Sequence, residues 1–181
     1  AIVAINDNQF PMELRGPAAS MLDVLAMKAG GMTKVAAANK WLLGGTIKSQ
    51  MAKSPSSAAL LHTTIAPTML EGSPKENVLP QSANALVNYR IAPWDNSKLV
   101  LERARAVTAN LGVKVDYTER APREPTPVSS ATSLGWQLIV ASAQAGHPGV
   151  IASPYLVVGG TDSRSMTPIS DDVYRFVAIS L

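Results

Sequence analysis

Between Pro17 and Lys53 apolar side chains recur three and four residues apart, the spacing of one face of an α-helix. Met21, Leu22, Val24, Leu25 and Ala26 form such a stripe behind Pro17, a residue suited to the first helical position, so a helix is predicted over residues 18–29. Gly30-Gly31 is read as its end. Thr33 is a candidate cap for a second helix in which Val35, Ala38, Trp41 and Leu42 share a face up to Gly44-Gly45. A third short helix is predicted over residues 46–53, and Ser54-Pro55-Ser56 breaks the pattern. This first third is helical and apolar enough to need a partner surface.

From Ala59 the period changes. Leu61, Thr63, Ile65 and Thr68-Met69-Leu70 are rich in β-branched residues and end at Gly72-Ser73-Pro74, which predicts a strand and a turn. Residues 82–91 alternate polar and apolar over the length of a second strand, antiparallel to the first. Pro93-Trp94-Asp95-Asn96-Ser97 caps a helix carrying Leu99, Val100, Ala104 and Val107 on one stripe, which ends at Leu111-Gly112. Residues 113–118 alternate strictly and are read as a third strand. Helices followed by strand, strand, helix, strand predict an α+β fold, an antiparallel sheet covered by helices on one face.

Ala121-Pro122-Arg123-Glu124-Pro125-Thr126-Pro127 carries three prolines in seven residues and reads as an extended linker, placed at residues 122–129. Beyond it the pattern resets to an amphipathic helix over residues 133–145, with Leu134, Leu138, Ile139 and Ala141. Tyr155-Leu156-Val157-Val158 reads as a buried strand of an α/β sheet. A tail of roughly 50 residues buries too little surface to stand alone, so it is expected to pack on something.

Composition narrows the class of protein rather than its function. Apolar residues make up 46% and charged residues 16%, as in globular chains. Lys and Arg number 16 against 13 Asp and Glu, and they are scattered, so the basic stripe that nucleic-acid binding requires is absent and no nucleic-acid partner is expected. Zero cysteines excludes disulfides, thiolate nucleophiles and Cys-type zinc sites, and leaves the compartment open. The longest apolar stretches, such as residues 155–160 and residues 36–43, the latter broken by Asn39-Lys40, fall short of the ~20 residues of a membrane span, so no membrane partner is expected. Ala1-Ile2-Val3-Ala4-Ile5 has neither initiator Met nor basic leader, and Val177-Ala178-Ile179-Ser180-Leu181 ends apolar. Further chain is therefore expected on both sides.

Four segments carry a resemblance: Thr63-Thr64-Ile65-Ala66-Pro67-Thr68, Glu76-Asn77-Val78-Leu79-Pro80, Val87-Asn88-Tyr89-Arg90 and Gly159-Gly160-Thr161-Asp162-Ser163-Arg164. In order and spacing they resemble the zinc metallopeptidase family numbered twenty, nearest to its carboxypeptidase S and N-fatty-acyl-amino-acid hydrolase branch. The resemblance implies a lid, or dimerisation, domain at residues 1–121 that lacks its first strand. It also implies a C-terminal part of the α/β catalytic domain at residues 130–181. It implies hydrolysis of N-acyl amino acids or dipeptides by a two-zinc centre, and a homodimer formed by lids pairing edge to edge. The family's His-x-Asp, Glu-Glu and Gly-Gly-His segments are absent, so no catalytic residue and no zinc are expected on this chain alone. The alternative is a naturally truncated dimerisation or binding module that never catalyses.

Three residues match substrate contacts of that family. Arg164 matches an arginine that pairs with the substrate carboxylate, a task suited to a guanidinium fork; the competing reading is an ion pair with Asp162 or Asp171. Asn77 matches a lid asparagine near the scissile amide, and reads equally as a turn residue. Arg90 matches a substrate-facing or cross-subunit arginine, against the default of a solvated strand-end charge. His62 reads as a surface histidine with no second ligand at metal spacing, and His147 as a residue following a helix C-terminus. Gly159-Gly160-Thr161 lacks the Lys and spacing of a phosphate loop, and Asp171-Asp172 reads as solvated or capping acids.

Overall fold

The structure, a computed structural model, describes residues 1–29 and 31–178. Gly30, read as a helix end, and the last three residues of the apolar terminus lie outside the described residues. The elements run α1 (Ile2–Asp7), α2 (Gly16–Ala29), α3 (Gly31–Ala38), α4 (Lys40–Met51), α5 (Pro55–Ala58), β1 (Thr64–Glu71), β2 (Asn84–Arg90), α6 (Ser97–Thr108), α7 (Leu134–Gly146) and a 3₁₀ turn, Asp162–Met166. The chain divides into two units, one made of residues 1–11 and 62–125, the other of residues 12–61 and 126–181. No described helix is long and apolar enough to cross a membrane.

In the first unit β1 and β2 form an antiparallel hairpin, Thr64 opposite Arg90 and Glu71 opposite Asn84, with an irregularity between Pro67 and Met69. Proline has no N–H to give the ladder, and a bulge is where a strand tolerates it. Helix α1 packs on both β1 and α6. Between them Ile5, Phe10, Val100 and Ala104 are buried, and the Phe10 and Tyr89 rings meet edge to face at 6.5 Å. Arg103 of α6 closes this core: its guanidinium carbon lies 4.9 Å from the centre of the Phe10 ring, and Nη2 donates to Asn8 Oδ1 at 2.7 Å and to Gln9 O at 2.9 Å.

Helix α6 shows why its boundaries were readable. Asn96 is extended and its Oδ1 accepts from Leu99 N at 2.8 Å, a cap of the kind that contributes about 1 kcal/mol. The Ser97 N–H donates to Glu124 Oε2 at 3.0 Å, so a carboxylate from the proline-rich stretch sits at the positive end of the helix. Gly112, four residues past the end of α6, closes the turn that follows it with φ +64°, a left-handed conformation that glycine adopts readily.

The second unit buries Ala18, Leu60 and Leu61, with Met12, Leu14, Met21, Met51 and Leu156 packed around them. Helices α2, α3 and α4 pack in sequence, and Lys40 Nζ reaches Asp23 Oδ1 at 2.5 Å. Helix α4 runs straight through Gly44-Gly45, where a stop was expected. Each glycine costs about 1 kcal/mol relative to alanine inside a helix, but neither adopts positive φ and no proline follows until Pro55, so nothing ends the helix there. Thr33 falls inside α3 rather than ahead of it.

Helices with a two-stranded antiparallel sheet make the chain α+β, as read from the sequence. Two expected strands do not form. Residues 113–118 carry the alternation of a strand, yet Arg105 Nε of α6 takes the Val115 carbonyl at 2.9 Å and its Nη2 lies 3.4 Å from Asp116 Oδ1. Alternation marks a face that could be buried, whereas a strand also needs a neighbour for its ladder. Residues 155–158 likewise have no neighbouring strand among the described residues, and Leu156 packs instead on the Leu61 core.

Candidate functional site

The hairpin sorts the candidates of the first unit. Asn77 lies in the connection between β1 and β2 and is exposed, in a turn where Val78 N donates to Lys75 O at 3.3 Å and Ser73 Oγ to Lys75 O at 2.7 Å. Arg90 is at the far end of β2, exposed, opposite Thr64. Six residue steps separate Asn84 from Arg90, about 20 Å of strand at the usual rise. Within one copy of the hairpin, Asn77 and Arg90 therefore stand at opposite ends of the ribbon and are not brought together. The strand residues between them present exposed Met69, Leu70 and Leu86.

Beside Arg90 the base of the hairpin is tied down by Thr63, which is fully buried. Its Oγ1 donates to Asp95 Oδ2 at 2.5 Å and accepts from Ala92 N at 2.9 Å, so one hydroxyl joins the entry of β1 to the exit of β2. His62 next to it corrects the surface reading: it is only 7% exposed, and its Nδ1 has no hydrogen-bond partner among the described residues. Burial lowers its pKa below 6.5, partly offset by the Thr63 backbone. The folded chain then binds fewer protons than the unfolded one, so His62 leaves stability intact above pH 6.5. Stability is lost as pH falls from there through the depressed folded value. The expected result is a thermal midpoint that falls between pH 7 and pH 5, and a shallower fall in His62→Leu, read by circular dichroism.

In the second unit Arg164 occupies the 3₁₀ turn, half-buried, with its own N–H donating to Thr161 O at 3.3 Å and its carbonyl accepting from Thr167 Oγ1 at 2.8 Å. Asp171 is exposed, and Asp172, read from the sequence as a solvated or capping acid, is half-buried and takes a backbone N–H. Asp172 Oδ1 accepts from Ser130 N at 2.6 Å, and that N–H, then the Ser133 and Tyr174 hydroxyls, hold its carboxyl below the ordinary range against slight desolvation. Tyr174 completes the tie: its hydroxyl meets Ser133 Oγ at 2.6 Å and donates to Ser130 O, its ring lies 6.0 Å from Trp136, and Val173 N donates to Ser129 Oγ at 2.8 Å. Ser133 also caps α7. The strand of chain so fixed continues into Arg175, whose Nε donates to Thr161 Oγ1 at 2.9 Å and Ser163 Oγ at 2.6 Å.

Sequence reasoning missed this group. Its partners lie 12, 14 and more than 40 residues apart, beyond any local period, and an arginine between Tyr174 and Phe176 gives no signal of what it reaches. His147 follows α7 as expected, its N–H donating to Ala143 O at 2.9 Å. Among the described residues no three His, Asp or Glu side chains converge.

Residues 2–116 match the peptidase dimerisation domain of the M20 peptidases, and the chain belongs to that family. It is 32% identical over 179 residues to an N-fatty-acyl-amino acid synthase/hydrolase of Danio rerio, covering 97% of this chain and 34% of that protein. Against the human N-fatty-acyl-amino acid synthase/hydrolase it is 32% identical over 177 residues, with 94% and 35% covered. A probable carboxypeptidase S-like protein of Dictyostelium discoideum is 30% identical over 143 residues, with 79% and 27% covered. The chain thus spans about a third of the length of these curated relatives. No solved structure matches it.

Proposed function

We propose that this chain is the dimerisation lid and an adjoining part of a zinc-dependent hydrolase that cleaves the amide of N-acyl amino acids or dipeptides. The observation that carries the reading is the family match over residues 2–116 joined to relatives named for N-fatty-acyl-amino acid hydrolysis and carboxypeptidase S. In it, residues 1–121 are the lid, 122–129 the linker and 130–181 part of the catalytic domain. The zinc donors and the general base come from outside this stretch.

Arg164 takes the substrate carboxylate, a bidentate partner for a planar guanidinium. Asn77 lies near the scissile amide. Arg90, at the other end of the hairpin, serves a site to which a second copy brings the remainder, which the separation along the ribbon supports. An exposed ribbon carrying Met69, Leu70 and Leu86 pairs with no further strand among the described residues, so its edges are a template for another strand, and this supports a homodimer. Hydrolysis of N-acyl amino acids, measured with excess zinc, tests the proposal. This chain alone is expected to give no turnover, while a polypeptide of the relatives' length that contains it is active and loses activity with chelator. Chelator-sensitive turnover by this chain alone contradicts the assignment of the donors, and an inactive longer polypeptide favours a non-catalytic dimerisation module.

A further inference from the structure

We infer that Arg175 is a positioning residue for Arg164, holding the 3₁₀ turn from which Arg164 meets a carboxylate; the inference rests on the proposed role of Arg164. The turn Asp162–Met166 is a single short helical turn whose N-cap, Thr161, makes no capping bond of its own. A turn so short has little to keep it in one conformation, because its own hydrogen bonds barely offset the entropy of ordering it. Arg175 adds a restraint from outside the turn. Its Nε donates to hydroxyls two residues apart, Thr161 Oγ1 at 2.9 Å and Ser163 Oγ at 2.6 Å, and those two hydroxyls also hydrogen-bond to each other. Ser163 immediately precedes Arg164.

A restraint is only as good as its own anchorage, and Arg175 is anchored on the side away from the turn. The three residues before it are fastened to the α7 entry by Asp172 to Ser130 N, Val173 to Ser129 and Tyr174 to Ser133. The space is shaped to the same end: a Cβ on Gly135 would come within 3.1 Å of the Tyr174 ring, so glycine there lets the ring lie against the helix. Helix α7 thus holds residues 172–174 at its entry, that stretch holds a guanidinium, and the guanidinium holds the turn that carries the proposed carboxylate contact. Such indirect support is what keeps a binding arginine within the small tolerance that productive geometry allows.

Arg175→Met, Arg175→Lys and Ser163→Ala test this in two settings. In the 181-residue chain the nuclear magnetic resonance signal of the Arg164 Nε–H group is expected to move in Arg175→Met and, by less, in Ser163→Ala, with the α7 amides unchanged. In the longer active polypeptide Arg175→Met is expected to raise KM about tenfold for an N-acyl amino acid, with kcat within about twofold. KM for the matching carboxamide, which lacks the carboxylate, is expected to stay put, and Arg175→Lys to recover part of the loss. An unmoved Arg164 signal, or an equal rise in KM for both substrates, overturns the inference. Failure of the parent reading looks different: Arg164→Met then leaves KM for the carboxylate substrate unchanged, while the Arg164 signal still decides whether Arg175 holds the turn.

Discussion

Thr63→Val is expected to destabilise the first unit by about 3 kcal/mol, because valine keeps the shape of threonine and removes only the hydroxyl. Two groups lose their partner at once: the Asp95 carboxylate that accepts from Oγ1 and the Ala92 N–H that donates to it. An orphaned buried donor such as the Ala92 N–H costs about 1–3 kcal/mol, and the half-buried Asp95 carboxylate adds less because water can replace part of its lost bond. Thr63→Ser keeps the hydroxyl and gives up one methyl, so its cost is expected to be about 1 kcal/mol. Urea unfolding separates the two variants. Equal losses in both would mean that packing of the methyl, rather than the hydrogen-bond node, holds the hairpin base.

Leu61→Ala is expected to cost a similar amount, about 3 kcal/mol, by a different route. Leu61 is fully buried among Ala18, Leu60, Met12, Leu14, Met21, Met51 and Leu156, so truncation removes transfer free energy and leaves a cavity that its neighbours fill only in part. Leu61→Met conserves volume and is expected to lose less than about 1.5 kcal/mol. The two buried residues are two positions apart yet belong to different units. Amide hydrogen exchange should therefore show protection lost first around Ala92 and β2 in Thr63→Val, and first in α2 and α4 in Leu61→Ala. Loss in the same amides for both variants would contradict the division.

What the sequence made legible was the part of the fold encoded locally. Asn96 ahead of a stripe of Val100 and Ala104, Ser133 ahead of α7, and the change from helical to alternating period near Ala59 each state their structure within a few residues. The two strands that failed to form show the limit of the same signals: 113–118 and 155–158 have the residues of strands, but a ladder is a property of two segments. The site divides along the same line. Arg164 was found through the Thr-Asp-Ser-Arg segment, whereas Arg175 and its anchor at Ser130 and Ser133 were invisible, because partners more than ten residues apart leave no periodic trace. His62 was misread for a related reason. A single histidine between Leu61 and Thr63 carries no indication of burial until both neighbours are seen to be fully enclosed.

The proposed homodimer requires the hairpin of the dimerisation domain to pair with a second copy. Sedimentation equilibrium of the 181-residue chain tests it most directly, up to about 100 μM, where an interface with Kd near 1 μM is almost fully occupied. The expected mass is twice the 19.0 kDa of one chain. A single species of 19.0 kDa across the whole concentration range would contradict it.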